Sequence, residues 1–187
     1  GVPFEDLEYA NSTVENAGIV HVIQGSPGGL TLAGNTNWHQ NTANINGAAE
    51  ADDYFGYSLA GGDLNADNFD ELIVGIPFED IGAKVDAGAI NIIRGSQWGL
   101  TAQGDQMKYQ DANNTQGSSE DFDRFGEAAV AGNIKPTIGP DHNTLKLAVR
   151  VSNEDNDDSG AVHNFYGPAA TMFAPGGWNQ VVILNNF

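Results

Sequence analysis

Cysteine is absent from the 187 residues, so no disulfide braces the fold and no thiolate metal centre or cysteine nucleophile exists. Basic side chains are scarce: seven Lys and Arg stand against 25 Asp and Glu, a formal net charge of −18. The few cations are scattered from Lys84 to Arg150 without a cluster. A field of that sign disfavours nucleic acid and anionic membrane surfaces as partners. No apolar run approaches the roughly 20 residues that cross a bilayer, so membrane insertion is not expected. The N-terminus has no basic region followed by an apolar core, and any secretion signal is expected to have been removed or to lie upstream. Only four histidines occur, none in a His-Glu-x-x-His pattern, and Gly-x-Ser-x-Gly and phosphate-loop patterns are missing as well. These absences point away from catalysis.

What is present is a repeat. Residues Gly18 to Ala60 align without a gap on Gly88 to Val130, a period of about 70 residues. Ile23/Ile93, Gly25/Gly95, Ser26/Ser96, Leu30/Leu100 and Gln40/Gln110 match, as do Asp53/Asp123, Phe55/Phe125 and Gly56/Gly126. A weaker third copy, Gly160 to Gly167, parallels Gly18 to Gly25, and Gly1-Val2-Pro3-Phe4-Glu5-Asp6 echoes Gly75-Ile76-Pro77-Phe78-Glu79-Asp80. Self-similarity at such a period signals a modular array whose units cover one another's apolar faces.

Each unit reads as short strands. Val20–Ile23, Leu72–Val74, Ala89–Ile93 and Leu145–Val151 are β-branched or alternating apolar runs bounded by Gly, Asn, Asp and Pro, and no window carries a capped helical pattern. About four strands per period predict an all-β chain of β-propeller blades, each of about four antiparallel strands, with a sandwich as the alternative. Closed propellers use at least about four blades, and 187 residues hold fewer than three periods. The expectation is therefore an incomplete propeller belonging to a larger ring, or one completed by several chains through self-association. The tail Trp178–Phe187 is expected either to pair near the N-terminus as a closing strand or to stay an unpaired edge.

Between two apolar runs lies an acidic loop, Asp63 to Glu71. Calcium takes six to eight oxygens, and alternate positions of a tight loop can turn oxygens inward. Asp63, Asn65 and Asp67 would supply side chains at the first, third and fifth positions, Phe69 its carbonyl at the seventh, and Glu71 a carboxylate at the ninth. Ca²⁺ is thus the expected metal. An EF-hand is excluded, because Val74 stands at the twelfth position and strands replace the flanking helices.

The Phe55-Gly56 start, this acidic loop and the Val74-Gly75-Ile76-Pro77 finish resemble the FG-GAP repeat of integrin α-subunit propellers. Trp38-His39-Gln40 through Gly47–Gly56, and Gly25–Thr31, resemble its bacterial version more closely. Against that pattern Asn68 stands for the usual Gly at the sixth position, where Asn also tolerates a left-handed backbone. Glu71 stands for the usual Asp, which makes Asp70 the substitute ligand. The third copy departs further: Asn133 to Asp141 lacks spaced carboxylates, so that blade is expected to bind no calcium.

The resemblance implies one propeller region over residues 1–187: a partial blade at 1–60, a blade with the calcium loop at 55–124 and a degenerate blade at 125–187. It also implies an extracellular or cell-surface location and a non-catalytic role in adhesion or in recognition of a protein or carbohydrate ligand. The alternatives are a scaffold domain of a larger extracellular enzyme, phospholipase-like or another hydrolase, and a structural unit of an extracellular assembly. Asn11-Ser12-Thr13 and Asn113-Asn114-Thr115 are formal glycosylation acceptors read as chance matches. His21, Asn91 and His163 occupy one repeated position, read as a strand site tolerant of polar residues. The pairs Glu5/Asp6, Glu79/Asp80 and Glu154/Asp155 read as solvated hairpin residues. Trp38 and Trp98 are expected to pack against the next blade.

Overall fold

The computed structural model describes residues 1–112, 115–134, 145–154, 159–166 and 178–184. The Asn113-Asn114 acceptor, the degenerate loop from Lys135 to Asp141, His142, Asp155 and Gly167 lie outside them. The described residues are all-β without a helix. The expected runs all become strands.

The first hairpin joins β1 (Leu7–Tyr9) and β2 (Ser12–Val14), and a second, longer one joins β3 (Val20–Ser26) and β4 (Gly29–Trp38). A four-stranded antiparallel sheet follows in the order β5 (Ser58–Gly62), β6 (Glu71–Ile76), β7 (Ala89–Arg94), β8 (Thr101–Lys108). The last sheet holds β9 (Ala128–Ile134), β10 (Leu145–Glu154), β11 (Ser159–Tyr166) and β12 (Trp178–Leu184) in sequential order. The described part of the tail therefore does not pair near the N-terminus and forms an edge strand of the last sheet. It runs antiparallel to β11, the strand next to it in sequence, from Gly160↔Leu184 to Tyr166↔Trp178.

Register shows that the two large sheets are copies: Ser58 faces Gly75 and Gly75 faces Ile90 in one, while Ala128 faces Arg150 and Arg150 faces Val162 in the other. Strand alternation gives each sheet two apolar faces. Ile73, Ile90, Ile92 and Leu64 on one face of β5–β8 pack against Leu147, Val149, Val151, Ala161 and Phe165 of the last sheet. The opposite face, with Val74, Ile76 and Ile93, packs against Val20, Trp38 and Ile45 of the β3–β4 unit. Phe55 and Phe125, the aromatic residues of the two Phe-Gly pairs, are fully buried, one in each interface. The core is thus a series of layers between stacked blades. Among the described residues no sheet closes on itself.

The segment leading to each Phe is tied down in the same way twice. Asp52, Tyr54 and Phe55 donate backbone N–H groups to Glu15, Asn16 and Ala17, and Phe122, Arg124 and Phe125 donate theirs to Val85, Asp86 and Ala87. Blade stacking then requires a missing side chain. A Cβ on Gly75 would collide with the Gly126 carbonyl and the Ser58 hydroxyl, so a glycine in the Gly-x-Pro finish lets one blade close on the Phe-Gly turn of the next.

Candidate metal loop

The loop from Asp63 to Glu71 joins β5 to β6. Two buried residues anchor it: Leu64, 1 % exposed, plugs into the interface core, and Glu71, 3 % exposed, accepts hydrogen bonds from Leu64 N at 2.9 Å and Asn65 Nδ2 at 2.9 Å. Between these anchors the chain winds through two left-handed residues, Ala66 at φ 58° and Asn68 at φ 72°. Asn68 meets the expectation for the sixth position. Ala66 departs from ordinary preference and gains nothing locally, so its conformation is imposed by the bonds around it.

Those bonds orient the oxygens. Asp63 accepts from Asp67 N at 3.2 Å through Oδ1 and from Asn68 N at 3.1 Å through Oδ2. Asn65 Oδ1 accepts from Asp67 N at 2.8 Å, and Asp67 Oδ1 from Phe69 N at 2.9 Å. The side chains at the first, third and fifth positions therefore bend back over the turn, each oxygen keeping a lone pair beyond its N–H contact. The donor set is all oxygen and suits a hard cation such as Ca²⁺.

Glu71 is placed differently from the other four. Its carboxylate lies under the loop, raised above its ordinary pKa by burial and held back by the N–H groups of Leu64 and Gly95. Among the described residues no three His, Asp or Glu side chains converge as an ion cage, so Asp63, Asp67 and Glu71 do not form one. The structure brings together Asp63, Asn65 and Asp67 in the loop, with Phe69 following and Glu71 clasping Asn65 from below. Asp70 is exposed. An open cleft of about 360 Å³ beside the loop has Asn68, Phe69 and Asp70 on one side and Val22 and Gln24 of β3 on another.

Several sequence expectations change. Glu79 and Glu154 are not solvated: they are 7 % and 5 % exposed and accept from Gln40 Nε2 at 2.6 Å and Gln110 Nε2 at 2.8 Å. Glu5, Asp6 and Asp80 are exposed as expected. The Gln40/Gln110 repetition was the available signal, since a polar residue repeated in register on an interblade connection needs a buried partner. The shared position of His21, Asn91 and His163 is a polar strand site, as expected, and it is buried in two of the three copies. Asn91 and His163 are fully buried; Asn91 Nδ2 donates to Asn46 O and Asp105 Oδ2, and His163 stacks edge-on to Phe125 at 5.2 Å. Only His21 lies exposed, bonded to Asn37 Oδ1. Trp38 packs into an interface as expected, whereas Trp98 is 87 % exposed and packs against no blade.

Stacked four-stranded antiparallel sheets, with a Phe-Gly turn buried between them and an acidic loop on the first inter-strand connection, define a propeller-type blade array. Residues 55–92 match the family model of the FG-GAP repeat, a span that runs from the buried Phe55 through the acidic loop into β7. No curated protein matches the chain.

Proposed function

We propose that this chain is a calcium-stabilised, non-catalytic β-propeller module of a secreted or cell-surface protein, serving adhesion or recognition of a protein or carbohydrate. The supporting observation is the loop within the FG-GAP match, where Asp63, Asn65 and Asp67 turn oxygens toward a common turn and backbone N–H groups hold them there. Calcium there would draw on these side chains and the Phe69 carbonyl, with Glu71 holding Asn65 in place. Its contribution is structural: neutralising an acidic turn between two strands that carry interface residues.

Thermal unfolding in calcium, in magnesium and in chelator tests the site. An ion present at tenfold its dissociation constant adds about 1.4 kcal/mol, which raises the midpoint by a few degrees in a domain of this size. Asp67→Ala removes an exposed carboxylate whose one loop bond is to Phe69 N. The variant is expected to match the parent in chelator and to lose the calcium response. Coincident curves for the parent in calcium and chelator would remove the metal from the proposal.

A further inference from the structure

One dipeptide of the chain is chemically fragile. Asn46-Gly47 is its single Asn-Gly pair, and Gln116-Gly117 stands at the same place in the second copy. Asparagine is a thermolabile residue, most of all before glycine, where no side chain hinders the next backbone nitrogen from attacking the side-chain carbon. Glutamine would have to close a larger ring and reacts far more slowly. Asn46 is exposed, so burial does not keep water and hydroxide from it.

The fold uses both residues. Gly47 sits at φ 98°, and a Cβ there would press on Gln40 Nε2 at 2.9 Å, the nitrogen bonded to Glu79. Asn46, on the connection from β4 to β5, is tied to the β7–β8 hairpin of the next blade. Its backbone N and its side-chain Nδ2 both donate to Asp105 Oδ2, at 2.8 and 2.9 Å, and Nδ2 donates also to Asp105 O at 2.7 Å. Its carbonyl accepts from Asn91 Nδ2 at 3.1 Å, and that nitrogen is itself held by Asp105 Oδ2 at 2.8 Å. Asp105 and Asn91 are 7 % and 0 % exposed, so the clasp is anchored in the blade. It opposes ring closure twice. Sharing one carboxylate oxygen turns the side-chain amide toward its own backbone N–H, the side away from Gly47. The Asn91 bond fixes the peptide plane that carries the Gly47 nitrogen.

We infer that Asn46 is a deamidation site gated by the docking of its connection on the β5–β8 blade, with Asp105 as the guard. While the clasp is closed the amide does not react. When it opens, the Gly47 nitrogen gives its proton to hydroxide and bonds to Asn46 Cγ; the Cγ–Nδ2 bond breaks, and the nitrogen takes a proton from water and leaves as ammonia. A water molecule then opens the succinimide ring to an aspartyl or isoaspartyl residue. Either product sets a carboxylate where the amide met Asp105, and like charges at that distance disfavour each other. An opening of this contact thus leaves a permanent chemical mark on it.

Peptide mapping by mass spectrometry, on the full chain held warm at neutral pH, follows conversion at Asn46 with every other asparagine as an internal reference. Conversion is expected to be slow in the folded parent and fast in the parent unfolded by urea. Asp105→Ala with a native circular dichroism spectrum is expected to convert at Asn46 at least about tenfold faster than the folded parent, because the amide loses its bonds to a charged group. Phe125→Ala weakens the neighbouring interface and keeps the clasp, so it is expected to convert at the parent's rate under the same conditions. Equal rates in folded and unfolded parent overturn the inference, as does a folded Asp105→Ala that converts no faster than the parent. Conversion in Phe125→Ala as fast as in Asp105→Ala overturns the guard role, since Asn46 would then react through general unfolding.

Discussion

Phe125→Ala is expected to destabilise the chain by about 3–5 kcal/mol, the range for emptying a fully buried aromatic site. The ring is fully buried in the interface between the two four-stranded sheets, among Leu64, Ile73, Ile90, Leu147 and Phe165. It also meets His163 edge-on at 5.2 Å and 74°. The backbone around it cannot collapse into the vacated space: Phe125 N is bonded to Ala87 O, and Gly126 is fixed at φ 96° against the Ala89 carbonyl. Urea unfolding followed by tryptophan fluorescence and by circular dichroism measures the effect. Phe122→Ala is the control, since Phe122 is 48 % exposed, and it should cost under about 1 kcal/mol. Equal losses in the two variants would mean that the buried Phe-Gly ring does not hold the blades together.

Raising the pH from about 5 to about 9 is expected to weaken the fold, with the steepest loss near neutrality. Asp53 and Glu79 are 2 % and 7 % exposed at the interface of the first two units. Burial, and next the neighbouring Glu79, push the Asp53 carboxyl up to about 8; burial also pushes Glu79 up to about 7, against the hydrogen bond from Gln40. The exposed carboxylates of Glu50 and Asp80 raise both groups further.

In the unfolded chain such carboxyls titrate near about 4. Between that value and about 8 the folded state therefore holds protons that the unfolded state has released. Stability from this source is complete below the unfolded value and is lost as pH rises through the folded values, by an amount on the order of a few kcal/mol. His163 acts oppositely at lower pH, since burial holds its ring down to about 4. The unfolded histidine gains its proton near about 6.5, so this group weakens the fold as pH falls below that point.

Asp53→Asn retains an oxygen for Glu50 N, now bonded at 2.6 Å, and removes the titration. Asn at 53, or Gln at 79, should raise the urea midpoint above that of the parent at alkaline pH and flatten its pH profile. Parallel profiles for parent and variants would show that the two carboxyls ionise freely in the folded state.

Much of this architecture was legible in the chain. The β-branched runs became strands because alternation and bounding Gly and Asn leave little else for them to do. The Phe55/Phe125 match marked the two buried rings, and the acidic loop appeared where its Asx spacing placed it. Less was legible where a residue's role depends on a neighbour far away in sequence. Glu79 sits beside an exposed Asp80 and resembles it in composition; its burial follows from Gln40, 39 positions earlier and brought over it by blade stacking. Glu71 stands in an alternating ligand pattern, but its burial and its bonds to Leu64 N and Asn65 Nδ2 show only in the fold.

The sequence by itself determined the repeat, the all-β class, the FG-GAP character of residues 55–92 and the oxygen-rich chemistry of the loop, because these depend on local spacing and side-chain type. The tertiary structure alone decided which carboxylates lose their water and which tryptophan is buried. Burial is a property of what lies across the interface, and two residues of one kind acquire opposite roles when one of them has a neighbouring sheet and the other faces solvent.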